Sequence, residues 1–329
     1  MIKFHFTYEK RSILENILLI LFALFLGYML NRLNIMQRDG SIALNKFVLY
    51  VSYPAIVLLQ TPKISFSLEL MIPAIVAWTV MTLSAFLILF LSKIFDFSKE
   101  VTGSLMLVAI LTNSSFLGIP LLNTYLPNDN FMPYLLVYDQ LGTFLAFAIY
   151  GTFIVSLYTS KTKVTFKLIT VKVLTFPPFL TLIFALFLVG VEFHPTITKV
   201  LEAFALTTVP VALVAAGLQL QLKLPKEDIK PFSVALFVKL IFAPIIAIIV
   251  CKIFGWNNLA STVSILEAAM APMITAGAIA AMAGLAPRLS SAIVGYGILI
   301  SFATTYLFKI LIINSSTINQ ILVRIAKKF

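Results

Sequence analysis

Apolar stretches of about 20 residues, separated by short polar connections, recur along almost the whole chain. A helix rises about 1.5 Å per residue, so each stretch is long enough to cross a hydrocarbon core about 30 Å thick. Ten spans are predicted, at roughly 13–31, 42–60, 69–92, 102–127, 131–158, 168–190, 195–221, 231–254, 259–284 and 289–313. The expected fold class is an all-α polytopic membrane protein with ten transmembrane helices, and no connection is long enough for a soluble domain. The fourth span departs from the pattern. Its centre reads Thr112-Asn113-Ser114-Ser115, and Gly118-Ile119-Pro120 follows. Such a break at mid-depth survives only where protein or water satisfies the freed backbone groups. Interrupted helices of this kind recur at the binding sites of secondary transporters. The plainer alternative is a Ser/Asn-containing helix that packs against its neighbours.

A weak internal repeat points the same way. Phe22-Ala23-Leu24-Phe25-Leu26 in span 1 matches Phe184-Ala185-Leu186-Phe187-Leu188 in span 6. Pro54 in span 2 matches Pro210 in span 7, and Lys93-Ile94-Phe95 matches Lys252-Ile253-Phe254. The separations are 162, 156 and 159 residues, in the same order. The expected organisation is therefore a first five-helix repeat over residues 1–160 and a second over 161–329. Five is an odd number, so the second half lies inverted in the membrane, as in many secondary transporters. A shift of 159 residues carries Asn113 onto Pro272, at the middle of span 9. Proline removes an N–H and clashes with the preceding turn, so span 9 is expected to break there.

Composition sharpens the class. Hydrophobic residues make up 60% of the chain and charged residues 11%, against about 25% charged in soluble domains. The net charge of +11 comes from short loops and tails, which fits basic loops between spans and argues against a nucleic-acid partner. With the N-terminus outside, Arg32, Arg38, Lys93, Lys99, Lys161, Lys163, Lys167, Lys172, Lys223, Lys226, Lys230 and Arg288 fall inside, against only Lys63, Lys199 and Lys252 outside. Both termini are therefore expected outside a bacterial inner membrane, although the basic tails pull the other way. Lys10 and Arg11 precede a run that reads as the first span and not as a cleavable signal. Cys251 is the single cysteine, which excludes an intrachain disulfide, and His5 and His194 are too far apart to suggest a metal. No G-x-S-x-G, H-E-x-x-H or P-loop motif suggests an enzyme, and no cofactor is expected.

Several segments resemble the auxin efflux carrier family, which includes the plant PIN proteins and many bacterial permeases. They are Asn113-Ser-Ser-Phe-Leu-Gly118-Ile119-Pro120-Leu-Leu, Gly27-Tyr-x-Leu-Asn-Arg32, Tyr53-Pro54-Ala55, Tyr138-Asp139-Gln140-Leu-Gly142 and Ala269-Met270-Ala271-Pro272. The resemblance covers essentially the whole chain. It implies ten spans in two inverted repeats, with broken helices 4 and 9 crossing at the substrate. Related folds move a transport domain (spans 3–5 and 8–10) against a scaffold (spans 1–2 and 6–7) in an elevator motion. Bacterial members resemble permeases for malate and other small carboxylates. Thr112 stands where the plant carriers have a proline, so the break is softer here and auxin is not carried over as the substrate.

The chemistry follows from the two breaks. Half-helices beginning at Asn113 and Pro272 would aim two positive dipole ends and their free N–H groups at one point, a site for a small organic anion such as a carboxylate. Asn113, Ser114, Ser115 and Thr275 can add hydrogen bonds, with Pro272 and Met273 framing the second helix start. Alternatively, these side chains only cap their own helices. Asp139, with its neighbour Gln140, and Glu267 lie at matched depth, about 12 Å below the outer edge of spans 5 and 9. Buried acids there suggest a coupling site for Na+ or H+, or else an ion pair that fixes helix packing, with Lys239 as the neutralising partner and Glu202 at similar depth in span 7. The function expected is a secondary carrier. An anion channel and a substrate-sensing receptor are the alternatives, and a homodimer in the bilayer is compatible with the pattern.

Overall fold

The computed structural model describes residues 13–37, 39–64, 66–159, 171, 174–175, 177–220, 224 and 226–326. The repeat boundary at 160/161, the charged positions Arg38, Lys161, Lys163, Lys167, Lys172 and Lys223, the tail residues Lys3, Lys10, Arg11, Lys327 and Lys328, and His5 lie outside them. The described residues are helical, with no strand among them. In the first half run α1 (Ile13–Arg32), α2 (Asp39–Phe47), α3 (Tyr53–Gln60), α4 (Ile72–Ile94), α5 (Lys99–Val108), α6 (Ile119–Tyr125), α7 (Met132–Val137) and α8 (Thr152–Thr159). In the second half run α9 (Pro177–Leu186), α10 (Pro195–Ala205), α11 (Thr208–Gln219), α12 (Ile229–Phe237), α13 (Ala243–Ile253), α14 (Leu259–Ala268), α15 (Ile274–Met282) and α16 (Pro287–Ala326).

Six helical runs among the described residues are long and apolar enough to cross a membrane: Gly40–Lys63, Leu68–Ile94, Met132–Thr159, Pro195–Gln219, Lys226–Ile253 and Pro287–Ile312. Leu18–Arg32, Pro177–Leu186 and Leu259–Ala268 are shorter apolar helices. Several long runs are joined through π-helical turns, at Val48–Ser52, Tyr138–Phe144, Phe147–Gly151 and Val238–Phe242. Such turns absorb an extra residue without ending the helix and cluster at functional positions. Tyr53, Asp139 and Lys239 all lie in or beside one.

Helix starts follow local chemistry. Ser98 caps α5 by accepting from the Val101 N–H at 3.2 Å. Asn258 and Ser261 form a reciprocal capping box at the start of α14, 3.0 and 3.1 Å, which satisfies two otherwise orphaned donors. His194 caps α10 by accepting from the Thr196 N–H, a structural use for that histidine. Pro177 opens α9, where a missing N–H costs little. Ala276 and Ala280 pack fully buried on α15. Gly284 does not extend their small-residue face: it lies past the helix end with φ +80°.

Burial identifies the centre of the molecule. From Thr102 to Pro120 every residue is buried, and so is almost every residue from Ala260 to Ile274. The surrounding helices instead turn apolar side chains outward, with Phe22 and Phe25 on α1, Phe86 and Phe90 on α4 and Phe187 after α9 all more than half exposed. An apolar exterior around a buried, polar-centred helix pair is the inside-out arrangement expected in lipid, where polar groups are tolerated only in the bundle interior. α1 runs along α11, and the two backbones meet at Gly27 and Gly217. A Cβ on Gly27 would lie 2.9 Å from the Gly217 Cα, so only glycine permits this approach.

Candidate functional site

Both central helices are interrupted midway. α5 stops at Val108, and the chain resumes helical form at a π-turn, Ser114–Gly118, that runs into α6. α14 stops at Ala268, and α15 begins at Ile274 with Met273 as its cap. A ten-residue helix such as α5 or α14 rises only about 15 Å. Each crossing of the molecule therefore takes two half-helices and the link between them. The second restart falls at Met273–Ile274 and not at Pro272 because Pro272 is held in a bridge. Thr112 and Pro272 form an isolated antiparallel bridge. The Asn113 N–H donates to the Ala271 carbonyl and the Met273 N–H to the Leu111 carbonyl, each at 2.9 Å. An unpaired backbone group in hydrocarbon costs several kcal/mol. The bridge makes each break satisfy the other, and proline at 272 is tolerated because its ladder partner needs no donor there.

At the bridge, Asn113, Ser114, Ser115, Met273, Thr275 and Asp139 line one small pocket with Thr143 and Phe144. Pro272, Gln140 and Glu267 are not among its lining residues, although Pro272 is bridged to Thr112, which is. Asn113 is 3% exposed and makes no capping hydrogen bond with its side chain. Its Nδ2 has no partner. A buried amide donor without an acceptor is unusual, since the group forfeits about 1–3 kcal/mol of desolvation. The helix-capping alternative for Asn113 therefore does not describe this geometry.

Ser114 and Ser115 hold a different group. Both hydroxyls donate to Asp139 Oδ1, Ser115 at 2.6 Å. The Tyr53 hydroxyl donates to Asp139 Oδ2, and the Gln140 amide approaches the same oxygen at 3.4 Å. Ser114 Oγ also lies 3.2 Å from Thr143 Oγ1, and the Tyr53 ring meets Phe144 edge-on at 6.0 Å. Asp139 is fully buried yet receives donors at both oxygens, the arrangement that suits an ionised carboxylate. It ties α3, the π-turn after α7 and the start of the second half-helix of span 4 into one cluster.

Glu267 stands one turn further along that half-helix. It too is fully buried, but neither Oε1 nor Oε2 has a hydrogen-bond partner. Its carboxylate lies against Gly118, where a Cβ would overlap Oε1; glycine at 118 leaves the room this acid occupies. Lys239, from the π-turn after α12, is 1% exposed. Its ammonium bonds to Thr112 Oγ1 at 2.5 Å and to the Ala268 carbonyl at 3.2 Å, not to a carboxylate. Glu267 is within electrostatic reach of both Lys239 and Asp139. Glu202 is exposed on α10 and takes no part. Tyr53, Thr143 and the Lys239–Thr112 contact were not predicted as site features. Tyr53 was visible only as a member of a family-like segment, Thr112 as part of the polar break, and Lys239 as a neutralising partner for the buried acids and not for Thr112.

Helices breaking in pairs at a buried polar centre, inside an apolar exterior, define a multi-pass membrane protein of the transporter class. The profile of the membrane transport protein family matches residues 12–309, and the chain belongs to that family, the auxin efflux carrier-like one. It is 24% identical over 266 residues to uncharacterized transporter MJ1031 of Methanocaldococcus jannaschii, covering 78% of this chain and 85% of that protein. It is 23% identical over 274 residues to an uncharacterized transporter of Methanothermobacter thermautotrophicus, covering 81% and 87%.

Proposed function

We propose that the protein is a secondary carrier for a small organic anion, of the size of a dicarboxylate such as malate, bound at the bridge between the interrupted helices. In this reading the chain crosses a cell membrane ten times, counting each half-helix pair as one span. Residues 1–160 and 161–329 form inverted repeats, both termini face outside, and spans 3–5 and 8–10 move against spans 1–2 and 6–7. Two half-helices starting at Ser114 and Ile274 supply N–H groups and positive dipole ends. The chain's own cation, Lys239, is turned toward Thr112 and Ala268, so the anion is held by dipoles and neutral donors, which bind without trapping. Asp139 orients the first half-helix, and Glu267 carries the coupling charge.

The observation that carries this reading is the unpartnered Nδ2 of Asn113 at a pocket formed where both helices break. A donor left without an acceptor at two helix N-termini matches a carboxylate. The test is uptake of labelled small carboxylates into proteoliposomes. Saturable uptake that competes with unlabelled substrate is expected from a carrier. Flux that rises linearly with concentration would make the protein a channel, and binding without flux would make it a receptor.

A further inference from the structure

Lys239 is the only buried lysine or arginine among the described residues, and its surroundings are those of a metal cation. Its Nζ is held by the carbonyl of Ala268, the last residue of α14, and by the hydroxyl of Thr112 in the facing break. The carboxylate of Glu267, one residue before Ala268 in the chain, lies within electrostatic reach and has no hydrogen-bond partner of its own. A helix C-terminus carries about half a negative charge. A terminal carbonyl and a hydroxyl are oxygen donors of the kind that hard cations select, and the Glu267 carboxylate stands beyond hydrogen-bond distance of Nζ. In transporters built on interrupted helices, such C-terminal carbonyls hold the coupling Na+. Here a covalently tethered ammonium has taken that place. A tethered ammonium stays with the protein and cannot be released with substrate.

We infer that Lys239 is a built-in substitute for a coupling sodium ion, so that this carrier has no Na+ site of its own. The inference rests on the carrier reading above and adds to it which ion is excluded. It predicts that the oxygens around Nζ bind a free cation only when the lysine is removed.

The experiment is thermal unfolding of the purified full-length protein in detergent, with sodium chloride exchanged for choline chloride at constant ionic strength. Wild type is expected to show the same Tm in both salts. Lys239→Ala is expected to unfold at lower temperature in choline and to regain about 2–4 °C in sodium or methylammonium chloride, since a ligand that binds only the folded state raises Tm. Lys239→Arg keeps the charge and should remain indifferent to sodium. A saturable rise of the wild-type Tm with Na+ overturns the inference. So does a folded Lys239→Ala that responds to neither ion. Where Lys239→Ala yields no folded protein, the wild-type response alone decides. None of these readings involves substrate, so Na+ binding by wild type would leave the carrier reading standing. A failure of uptake would remove that reading without altering the Tm series.

Discussion

Four donors converge on Asp139, and the Tyr53 hydroxyl is the one that reaches it from furthest away in sequence. Tyr53→Phe removes that hydroxyl and leaves the ring in its edge contact with Phe144. A hydrogen bond to a charged group is worth about 1.5–3 kcal/mol. At about 2 °C per kcal/mol, the lower end of the scale for large domains, Tm should fall by about 3–6 °C. Asp139→Asn should cost at least as much. A carboxamide offers one acceptor oxygen in place of two and turns an N–H toward hydroxyls or an amide that already donate. The two effects are not independent, because Asp139→Asn already weakens the bond that Tyr53→Phe removes. In the double variant the combined loss should fall short of the sum by about 1–3 kcal/mol, or roughly 2–6 °C. The assay is intrinsic-fluorescence unfolding of wild type, both single variants and the double variant in one detergent. Shifts that add to within about 0.5 kcal/mol would show that Tyr53 and Asp139 do not share a network, and the account of Asp139 as the organiser of the half-helix that begins at Ser114 would fail.

Three other outcomes follow. Asn113→Ala should weaken carboxylate affinity about ten- to a hundredfold by removing one charge-assisted hydrogen bond, and Asn113→Asp should weaken it further; proteoliposome uptake at wild-type affinity in both would remove Asn113 from the site. Gly118→Ala places a methyl where the Glu267 carboxylate lies, so overpacking should cost about 1–3 kcal/mol and uptake should collapse, whereas wild-type Tm and uptake would mean that Glu267 has no fixed position there. In a Cys251→Ser background, an impermeant thiol reagent should label Asp129→Cys in intact cells and spare Lys99→Cys, and the reverse pattern would invert the orientation.

The break sites were legible because they violate a strong local rule. Polar residues and proline at the centre of long apolar runs contradict what a spanning helix requires, and the internal repeat brought Asn113 and Pro272 to corresponding positions. The structure joins Thr112 to Pro272 and Asn113 to Ala271. Asp139 and Glu267 were legible as costly charges, but their division of labour was not. Whether a buried acid is satisfied depends on side chains 24, 25 and 86 residues away for Asp139, and apolar patterning says nothing about which serines or tyrosines turn inward. Lys239 was expected to meet a carboxylate, since opposite charges attract. A helix C-terminal carbonyl exists only once α14 has ended, so the partner it has could not be read from residue types. The π-turns left no compositional trace, because each changes the register of a helix by one residue without changing its hydrophobicity.

The bridge also limits which parts can move under the carrier reading. Separating Thr112 from Pro272 would break two buried backbone hydrogen bonds, and would pull Lys239 from Thr112 or from Ala268. Each exposed backbone group costs several kcal/mol in hydrocarbon, so the four half-helices behave as one body. Between that body and α1–α3 the ties are different in kind. α1 rests on α6, and α11 on the π-turn after Asn113, largely through apolar side chains of one continuous core. The named polar contact on this side is Tyr53 with Asp139, on the π-turn after α7, which Ser114 and Ser115 tie to the crossing. Apolar surfaces can slide past one another with little directional penalty, whereas a hydrogen-bonded bridge cannot stretch by an ångström without losing its bonds. Displacement of the crossing, together with the π-turn that carries Asp139, against α1–α3 and α11 therefore breaks one strong polar contact, and opening the crossing itself breaks at least three. That inequality is the physical reason to expect alternating access by rigid-body movement of the crossing, with substrate carried at the pocket beside the bridge.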